Sequence, residues 1–161
     1  TNKYEYDIDL GVFRLDRVLY SAIYYPGDYG LIPRTWSIDN DPLDILVLTT
    51  RPTFTGCIVA ARPIGALTME DEKGEDDKIL AVPIGDPRFQ EIGEVDDLAH
   101  HLKAEITDFF LTYKRLEPSK WVKVKRWKEA KTAEAMIVAA INEFHKQFKS
   151  ETGDEGYDFL T

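Results

Sequence analysis

Residues 39–48 read Asp39-Asn40-Asp41-Pro42-Leu43-Asp44-Ile45-Leu46-Val47-Leu48, an acidic turn that leads directly into an apolar strand. Asp, Asn and Pro are common turn residues, and a turn accounts for one or two of them. The third carboxylate, Asp44, stands at the mouth of the strand, where burial is costly unless the charge is paired or bound to a cation. Crowded oxygen ligands suit a hard cation such as Mg²⁺ or Mn²⁺. The stretch therefore predicts a strand with a metal site at its start.

Strands and turns are predicted throughout the first two thirds of the sequence. Residues 3–9 alternate apolar and acidic side chains, Gly11 marks a turn, and residues 12–15 predict the return strand of a hairpin. The aromatic segment 24–30 contains Pro and Gly and predicts a structured loop. Further strands are predicted at 43–48, at 57–69 with a bend at Pro63 and Gly65, and at 79–82.

The last third of the sequence changes to helical periodicity. Apolar residues recur at helical spacing from Leu98 to Phe110, with Asp96 or Asp97 as the candidate N-cap. A second helix is predicted at 129–149, and residues 151–161 predict a flexible acidic tail. Strands followed by helices favour an α+β fold, mainly β with an antiparallel sheet, in a single domain at residues 1–150.

The composition is globular with a strong acidic surplus. The chain has 161 residues and a net charge of −9, from 20 Lys plus Arg and 29 Asp plus Glu. This balance disfavours a general nucleic-acid binder and a surface that docks on anionic membranes. No run of 18 apolar residues occurs, so no membrane span is predicted, and no secretion leader is visible. The single cysteine, Cys57, is expected to be a buried apolar residue and suits a reducing, cytoplasmic location.

Two short segments hold most of the surplus charge. Residues 39–44 carry three carboxylates, and residues 70–77 carry six carboxylates and one Lys, so together they account for −8 of the −9. By itself the second segment also fits an exposed acidic loop between two strands. An EF-hand fails from Asp39, where position 12 is Thr50, and from Asp71, where position 6 is Asp76 rather than Gly. The three histidines lack zinc-site spacing.

Cationic and phenolic side chains complete the pattern of a phosphoanion site. Metals bridge phosphate oxygens, while Lys, Arg and Tyr take up the remaining charge. No Walker A loop and no Gly-x-Ser-x-Gly elbow occurs, and a lone cysteine in an apolar run is a poor nucleophile. Metal-activated water is therefore the predicted nucleophile. The candidate residues are Lys3, Arg17, Tyr25, Tyr29, Lys78, Tyr113 and Lys114.

Six blocks in register resemble one known family. The segment at 39–45 matches the D-x-D-P-x-D motif of the soluble family I inorganic pyrophosphatases of bacterial type. The other blocks are Lys3-Tyr4-Glu5, Leu15-Asp16-Arg17, Tyr25-Pro26 with Tyr29-Gly30, Asp71-Glu72 with Gly74-Glu75-Asp76-Asp77-Lys78, and Tyr113-Lys114. The resemblance covers roughly residues 2–148.

This resemblance implies a five-stranded OB-like barrel flanked by two main C-terminal helices. It implies hydrolysis of inorganic pyrophosphate to two orthophosphates with several Mg²⁺ ions, Mn²⁺ being a possible substitute. By the family pattern, Asp39, Asp44 and Asp76 hold the metal pair that activates water, and Asp71 with Asp76 holds a metal that arrives with the substrate. Asp41 accepts the proton of the attacking water, with Asp76 as the less favoured base.

The remaining blocks are implied to contact the substrate. Glu5 assists near the substrate metals, partly through water. The family relatives are usually hexamers, so a homo-oligomer, and specifically a hexamer, is expected by resemblance. The residues implied to bind phosphate oxygens are Lys3, Arg17, Tyr29, Lys78, Tyr113 and Lys114.

One departure from the family keeps two alternatives open. The family usually has a further N-terminal strand with an active-site glutamate ahead of the Lys-Tyr-Glu block, whereas Lys3 stands almost at the start of this sequence. The alternatives are a catalytically impaired pyrophosphatase that lacks this strand and an OB-like binding module with a merely acidic surface. A nucleic-acid-binding groove should be basic with exposed aromatic side chains.

Overall fold

Eight β-strands and two α-helices occur in the part of the chain that the computed structural model describes, residues 2–7 and 10–148. The predicted tail at 151–161 lies outside this part. Two short 3₁₀ turns, Pro87–Phe89 and Val95–Asp97, precede the first helix. The strands are β1 (Asn2–Asp7), β2 (Val12–Val18), β3 (Asp28–Leu31), β4 (Asp44–Val47), β5 (Ala61–Asp71), β6 (Gly74–Glu75), β7 (Lys78–Pro83) and β8 (Val122–Glu129), and the helices are α1 (His100–Thr112) and α2 (Ala130–Phe148).

The first two strands form the hairpin that the alternating pattern predicts. β1 and β2 pair antiparallel in a sheet of their own, and Gly11 adopts a left-handed φ of 66° in the connecting turn. This conformation favours glycine, because a side chain would meet steric conflict there. Residues 8 and 9 of the predicted strand lie outside the described part.

The other six strands form one sheet, in which β3, β4, β7 and β5 are consecutive neighbours and β6 and β8 both pair with β5. β4 and β7 run parallel, and the other pairs are antiparallel. The predicted mainly-β fold with two helices is therefore confirmed. Between the described strands, hydrogen bonds do not close the sheets into a barrel.

A register shift in β5 confirms the predicted bend between Pro63 and Gly65. A β-carbon on Gly65 would lie 2.6 Å from the backbone carbonyl of Lys128 and 3.0 Å from Val95, so only glycine fits without displacement. The sequence patterns do not predict β8, although seven residues of this strand pair with β5. The alternation Val122-Lys123-Val124-Lys125 is the signal that could have found it.

Three local predictions need correction. Residues 28–31 form β3 rather than part of a loop. Cys57 is half-buried rather than buried. Residues 57–60 precede β5 instead of belonging to it: the Cys57 N–H donates to the Phe54 carbonyl in a turn, and Ile58 is 91% exposed. Asp97 does not cap α1, which begins at His100 after Ala99. Its carboxylate accepts instead from the backbone N–H groups of Gly93 and Glu94.

The core lies where both helices pack on the six-stranded sheet. Ile106, Phe109 and Phe110 of α1 join one buried cluster with the apolar residues of β4, β5 and β7. The small residues Ala133 and Ala140 of α2 join a second cluster. This arrangement leaves the starts of β4 and β7 free for polar side chains. Among the described helices, none has the length and apolarity needed to cross a membrane.

Candidate functional site

Parallel pairing of β4 and β7 brings two distant acidic segments together. Ile45 pairs with Ile79, so Asp44 and Lys78 are the first residues of two neighbouring strands and lie at the same end of the sheet. The ammonium group of Lys78, only 3% exposed, forms ion pairs with both Asp44 and Asp76. Burial lowers the pKa of Lys78, but the two carboxylates outweigh it, and the pKa stands above its ordinary value. Lys78 is therefore a fixed positive charge between two carboxylates.

A small concavity beside this ion pair is lined by three of the predicted metal ligands, Asp39, Asp44 and Asp76. Its volume of about 10 Å³ is comparable to the space that one water molecule needs. No three carboxylate, His or Cys side chains in the described ranges stand close enough together to hold a metal ion. The chemistry of the donors nevertheless fits a hard cation, since every candidate ligand is a carboxylate oxygen.

The acidic turn at 37–43 is held by its backbone. Asn40 adopts a left-handed φ of 63°, and the Asp41 N–H donates to the Asp39 carboxylate at 3.3 Å. Burial raises the pKa of Asp39, and the charges of Asp41, Asp44 and Asp76 raise it further. The pKa of Asp41 is also raised, first by the partial desolvation of its carboxyl group and then by Asp44 and Glu5, against the lowering effect of Lys73 and Lys3. These carboxylates therefore repel one another, and a cation would relieve that repulsion.

The end of β5 carries a second buried ion pair. Lys114, in the turn after α1, donates to the carboxylate of Asp71, and both residues are buried. Burial alone would raise the pKa of Asp71, but the hydrogen bonds from Lys114 and from the Lys73 N–H lower it. Glu72 lies 3.8 Å from both Lys114 and Lys120, and its Oε2 atom is buried without a hydrogen-bond partner among the described residues.

Stacked aromatic rings connect the two ion pairs. Tyr29 stacks on Tyr25 at 4.8 Å, Tyr25 lies 4.7 Å from Phe109, and Phe109 stacks on Tyr113 at 5.4 Å. The Lys78 ammonium lies 5.8 Å from the ring of Tyr29, and the Lys114 ammonium lies 5.5 Å from the ring of Tyr113. Burial raises the pKa of all three tyrosines, so each phenol keeps its proton and can donate to an anion.

The hairpin brings the other predicted substrate residues. Lys3 forms ion pairs with Glu5 and, at 3.6 Å, with Asp16, and Arg17 pairs with Asp16. The charge of Glu5 raises the pKa of Asp41, and the charge of Lys3 lowers it. Burial lowers the pKa of Arg17, while the charges of Glu117 and Asp16 raise it overall.

Sequence reasoning missed two polar residues of this region as functional candidates. Glu117 is buried and pairs with Arg17, but its neighbours Leu116 and Pro118 carry no motif that marks it. Glu72 adjoins Asp71 in sequence, but no motif assigns it a separate role. The hydroxyl of Tyr25, a candidate residue without a specific role, is buried without a hydrogen-bond partner among the described residues. The aromatic segment around it was the available signal.

Comparisons with known proteins indicate one family. A family model described as Inorganic pyrophosphatase matches residues 1–145. The chain is 51% identical to the inorganic pyrophosphatase of Thermus thermophilus over 142 residues, covering 87% of this chain and 81% of that protein. For the inorganic pyrophosphatase of Geobacillus stearothermophilus the identity is 45% over 146 residues, covering 91% and 88%.

Solved structures show the same fold. The inorganic pyrophosphatase of Helicobacter pylori aligns with a TM-score of 0.88 at 44% identity, covering 89% of this chain and 86% of that chain. The mainly-β architecture with two helices matches the OB-like fold of these structures, which confirms the predicted fold class.

Proposed function

Since the chain belongs to family I of the inorganic pyrophosphatases, we propose that it hydrolyses inorganic pyrophosphate to two orthophosphates. Lys78 carries the proposal, because this buried cation between Asp44 and Asp76 joins the two acidic segments in one site. An anion such as pyrophosphate binds beside cations. Because carboxylates lie at the same place, the site needs positive charge beyond that of Lys78, and bound metal ions would supply it. The binding-module alternative is not favoured, since the similar proteins reported above are named as pyrophosphatases.

The proposed metal is Mg²⁺, with several ions per site and Mn²⁺ as a possible substitute, in keeping with a family that is metal-dependent in general. Asp39, Asp44, Asp71 and Asp76 would hold it. When bound, Mg²⁺ would neutralise phosphate oxygens and lower the pKa of water. Burial raises the pKa of Asp39, and repulsion from the neighbouring carboxylates raises it further. This repulsion supports the assignment, because a bound cation removes it.

In the proposed mechanism, Asp41 accepts the proton of the attacking water. Its carboxylate is exposed at the acidic turn, and its raised pKa makes it a better base than an ordinary aspartate. Asp76 is the less favoured base, because Lys78 already engages its carboxylate.

The cations and phenols hold the two phosphate groups. Lys and Arg donate charged hydrogen bonds, and the protonated phenols donate neutral ones. Glu5 would assist near the substrate metals, and it forms an ion pair with Lys3. The proposed phosphate-binding residues are Lys3, Arg17, Tyr29, Lys78, Tyr113 and Lys114.

A phosphate-release assay tests the function. Purified protein is supplied with pyrophosphate or ATP, each with Mg²⁺ or with EDTA. We expect rapid release from pyrophosphate only with Mg²⁺, and slower release from ATP. Release that EDTA does not change would contradict the proposal. Metal binding without turnover would instead support the impaired alternative, and a gel shift with single-stranded nucleic acid, without phosphate release, would support the binding module.

We further propose a cytoplasmic homo-oligomer, specifically a hexamer, on family resemblance. The single Cys57 is compatible with a reducing compartment. Light scattering coupled to size exclusion measures the mass directly. A mass six times that of the chain is expected, and a monomer at micromolar concentration would contradict the proposal.

A further inference from the structure

Arg17 stands at the end of a hairpin that the main sheet does not hold. β1 and β2 pair only with each other, whereas the remaining described strands share one sheet. Four ion pairs join residues of the hairpin to one another, and their cations are Lys3, Arg14 and Arg17. Among the ion pairs of the described residues, one joins the hairpin to the rest of the protein, and its partners are Arg17 and Glu117.

Glu117 is placed to hold a guanidinium group. It lies in the turn after α1, and its side chain is only 5% exposed. Arg17 donates from Nε to Oε1 at 3.3 Å and lies 3.2 Å from Oε2, which is also 3.4 Å from Lys120. A carboxylate buried to this degree needs such partners, because an unpaired buried charge is costly. The position of Glu117 therefore fixes the position of Arg17.

The nitrogen atoms of the Arg17 guanidinium differ in their hydrogen-bond partners. Nε donates to Glu117 and Nη1 to Asp16, while no hydrogen bond between described residues uses Nη2. A guanidinium carries five N–H donors in a rigid plane, so hydrogen bonds at Nε and Nη1 fix the direction of the Nη2 donors.

We infer that Glu117 is a positioning residue, which holds the guanidinium of Arg17 so that its Nη2 donors are available to a phosphate group of the substrate. The inference rests on the proposed function, in which Arg17 binds phosphate. Glu117 itself touches neither the substrate nor a metal ion in this assignment.

Glu117 has two opposing effects on an anionic substrate. Its negative charge weakens the attraction between Arg17 and phosphate, while its hydrogen bond orients the guanidinium. Three substitutions separate these effects. Glu117→Gln removes the charge and keeps the acceptor oxygen, Glu117→Asp keeps the charge and withdraws it by one methylene, and Glu117→Ala removes both.

If orientation dominates, Glu117→Ala raises KM for pyrophosphate about tenfold, with kcat changed by less than about threefold, since a ground-state contact is lost. Glu117→Asp raises KM by an intermediate factor, and Glu117→Gln leaves it near the wild-type value. An unchanged or lowered KM in Glu117→Ala would overturn the inference, because then only the charge matters. Glu94→Ala is the control for stability, since it removes a carboxylate that accepts from the Ala130 N–H at the start of α2. It should lower the melting temperature without moving KM.

A double-mutant cycle with Arg17→Lys isolates the coupling between the two residues. In the Arg17→Lys background, Glu117→Ala should change KM by less than about twofold, because the oriented group is already gone. A full tenfold effect in that background would overturn the inference. If Arg17→Lys alone leaves KM unchanged, the phosphate-binding role of Arg17 fails and the inference fails with it. Absence of phosphate release by the wild-type protein would instead refute the proposed function.

Discussion

The carboxylate of Asp44 and the ammonium group of Lys78 form an ion pair across the parallel strands β4 and β7, although 34 residues separate them in sequence. The same ammonium group contacts Asp76. Removal of Lys78 should therefore have consequences for stability that are independent of catalysis.

Lys78→Met, measured in EDTA, should lower the free energy of unfolding by about 3 kcal/mol, since breaking a buried ion pair leaves its partners uncompensated. Urea denaturation followed by circular dichroism gives this value. Lys146→Met is the matched control, because Lys146 pairs with Glu143 at an exposed site, and it should change stability by less than about 0.5 kcal/mol. Equal effects of the two substitutions would contradict the assigned burial.

Asp41→Asn should lower kcat by a factor on the order of 10² to 10⁴, the usual contribution of a general base. The melting temperature should stay near the wild-type value, because the side chain is exposed. Steady-state phosphate release provides the measurement, and Asp96→Asn, at another exposed carboxylate, serves as the control. Full activity in Asp41→Asn would show that Asp41 is not the base and would leave Asp76 as the candidate.

Mg²⁺ should raise the melting temperature, because a ligand that binds only the folded state stabilises it by about 2.7 kcal/mol at 100 times its dissociation constant. Asp39→Asn should reduce this shift, since it removes a proposed ligand. Thermal unfolding with increasing Mg²⁺, and with Na⁺ at matched ionic strength, measures the effect. A shift equally large in Asp39→Asn would show that Asp39 is not a ligand.

Tyr113→Phe should raise KM for pyrophosphate by roughly a factor of ten, the value of one hydrogen bond of about 1.4 kcal/mol. The ring stacking on Phe109 is preserved in this variant, so the fold should persist. Tyr20→Phe is the control, because Tyr20 is exposed and has no proposed role. A KM that is unchanged in Tyr113→Phe would assign Tyr113 to the core alone.

The lowered pKa of Asp97 predicts that the stability of the protein depends on pH. Two hydrogen bonds from the backbone N–H groups of Glu94 and Gly93 lower its pKa. A lowered pKa in the folded state gives stability that is present above the unfolded pKa of about 3.9 and is lost as the pH falls through the folded value. The difference in urea midpoint between wild type and Asp97→Ala should be constant from pH 5 to 7.

Below pH of about 4 the same difference should shrink, because protonation removes the acceptor charge in the wild type as well. A difference that stays constant at low pH would show that the carboxylate charge makes no contribution. Glu105→Ala, at an exposed carboxylate of α1, provides the comparison for general surface effects.

Local patterns were sufficient for much of the fold. The alternation at 3–9, the apolar run 45–48 and the helical stripes after Leu98 all reflect side-chain periods that follow from the geometry of single strands and helices. The sequence patterns do not predict β3, because Tyr, Pro and Gly in residues 24–30 favour a loop locally. The strand forms through its pairing with β4, which is distant in sequence from this local pattern. The predicted N-cap role of Asp97 is wrong because its carboxylate accepts from the backbone N–H groups of Gly93 and Glu94, ahead of α1.

The sequence by itself determined which residue types carry the chemistry, because the acidic segments, the lysines and the tyrosines stand in recognisable blocks. Only the tertiary structure decided how they are paired. The parallel register of β4 and β7 places Lys78 between Asp44 and Asp76, and the turn after α1 buries Glu117 against Arg17. Burial and distance set the strength of charge interactions, and both depend on contacts between segments that are far apart in sequence.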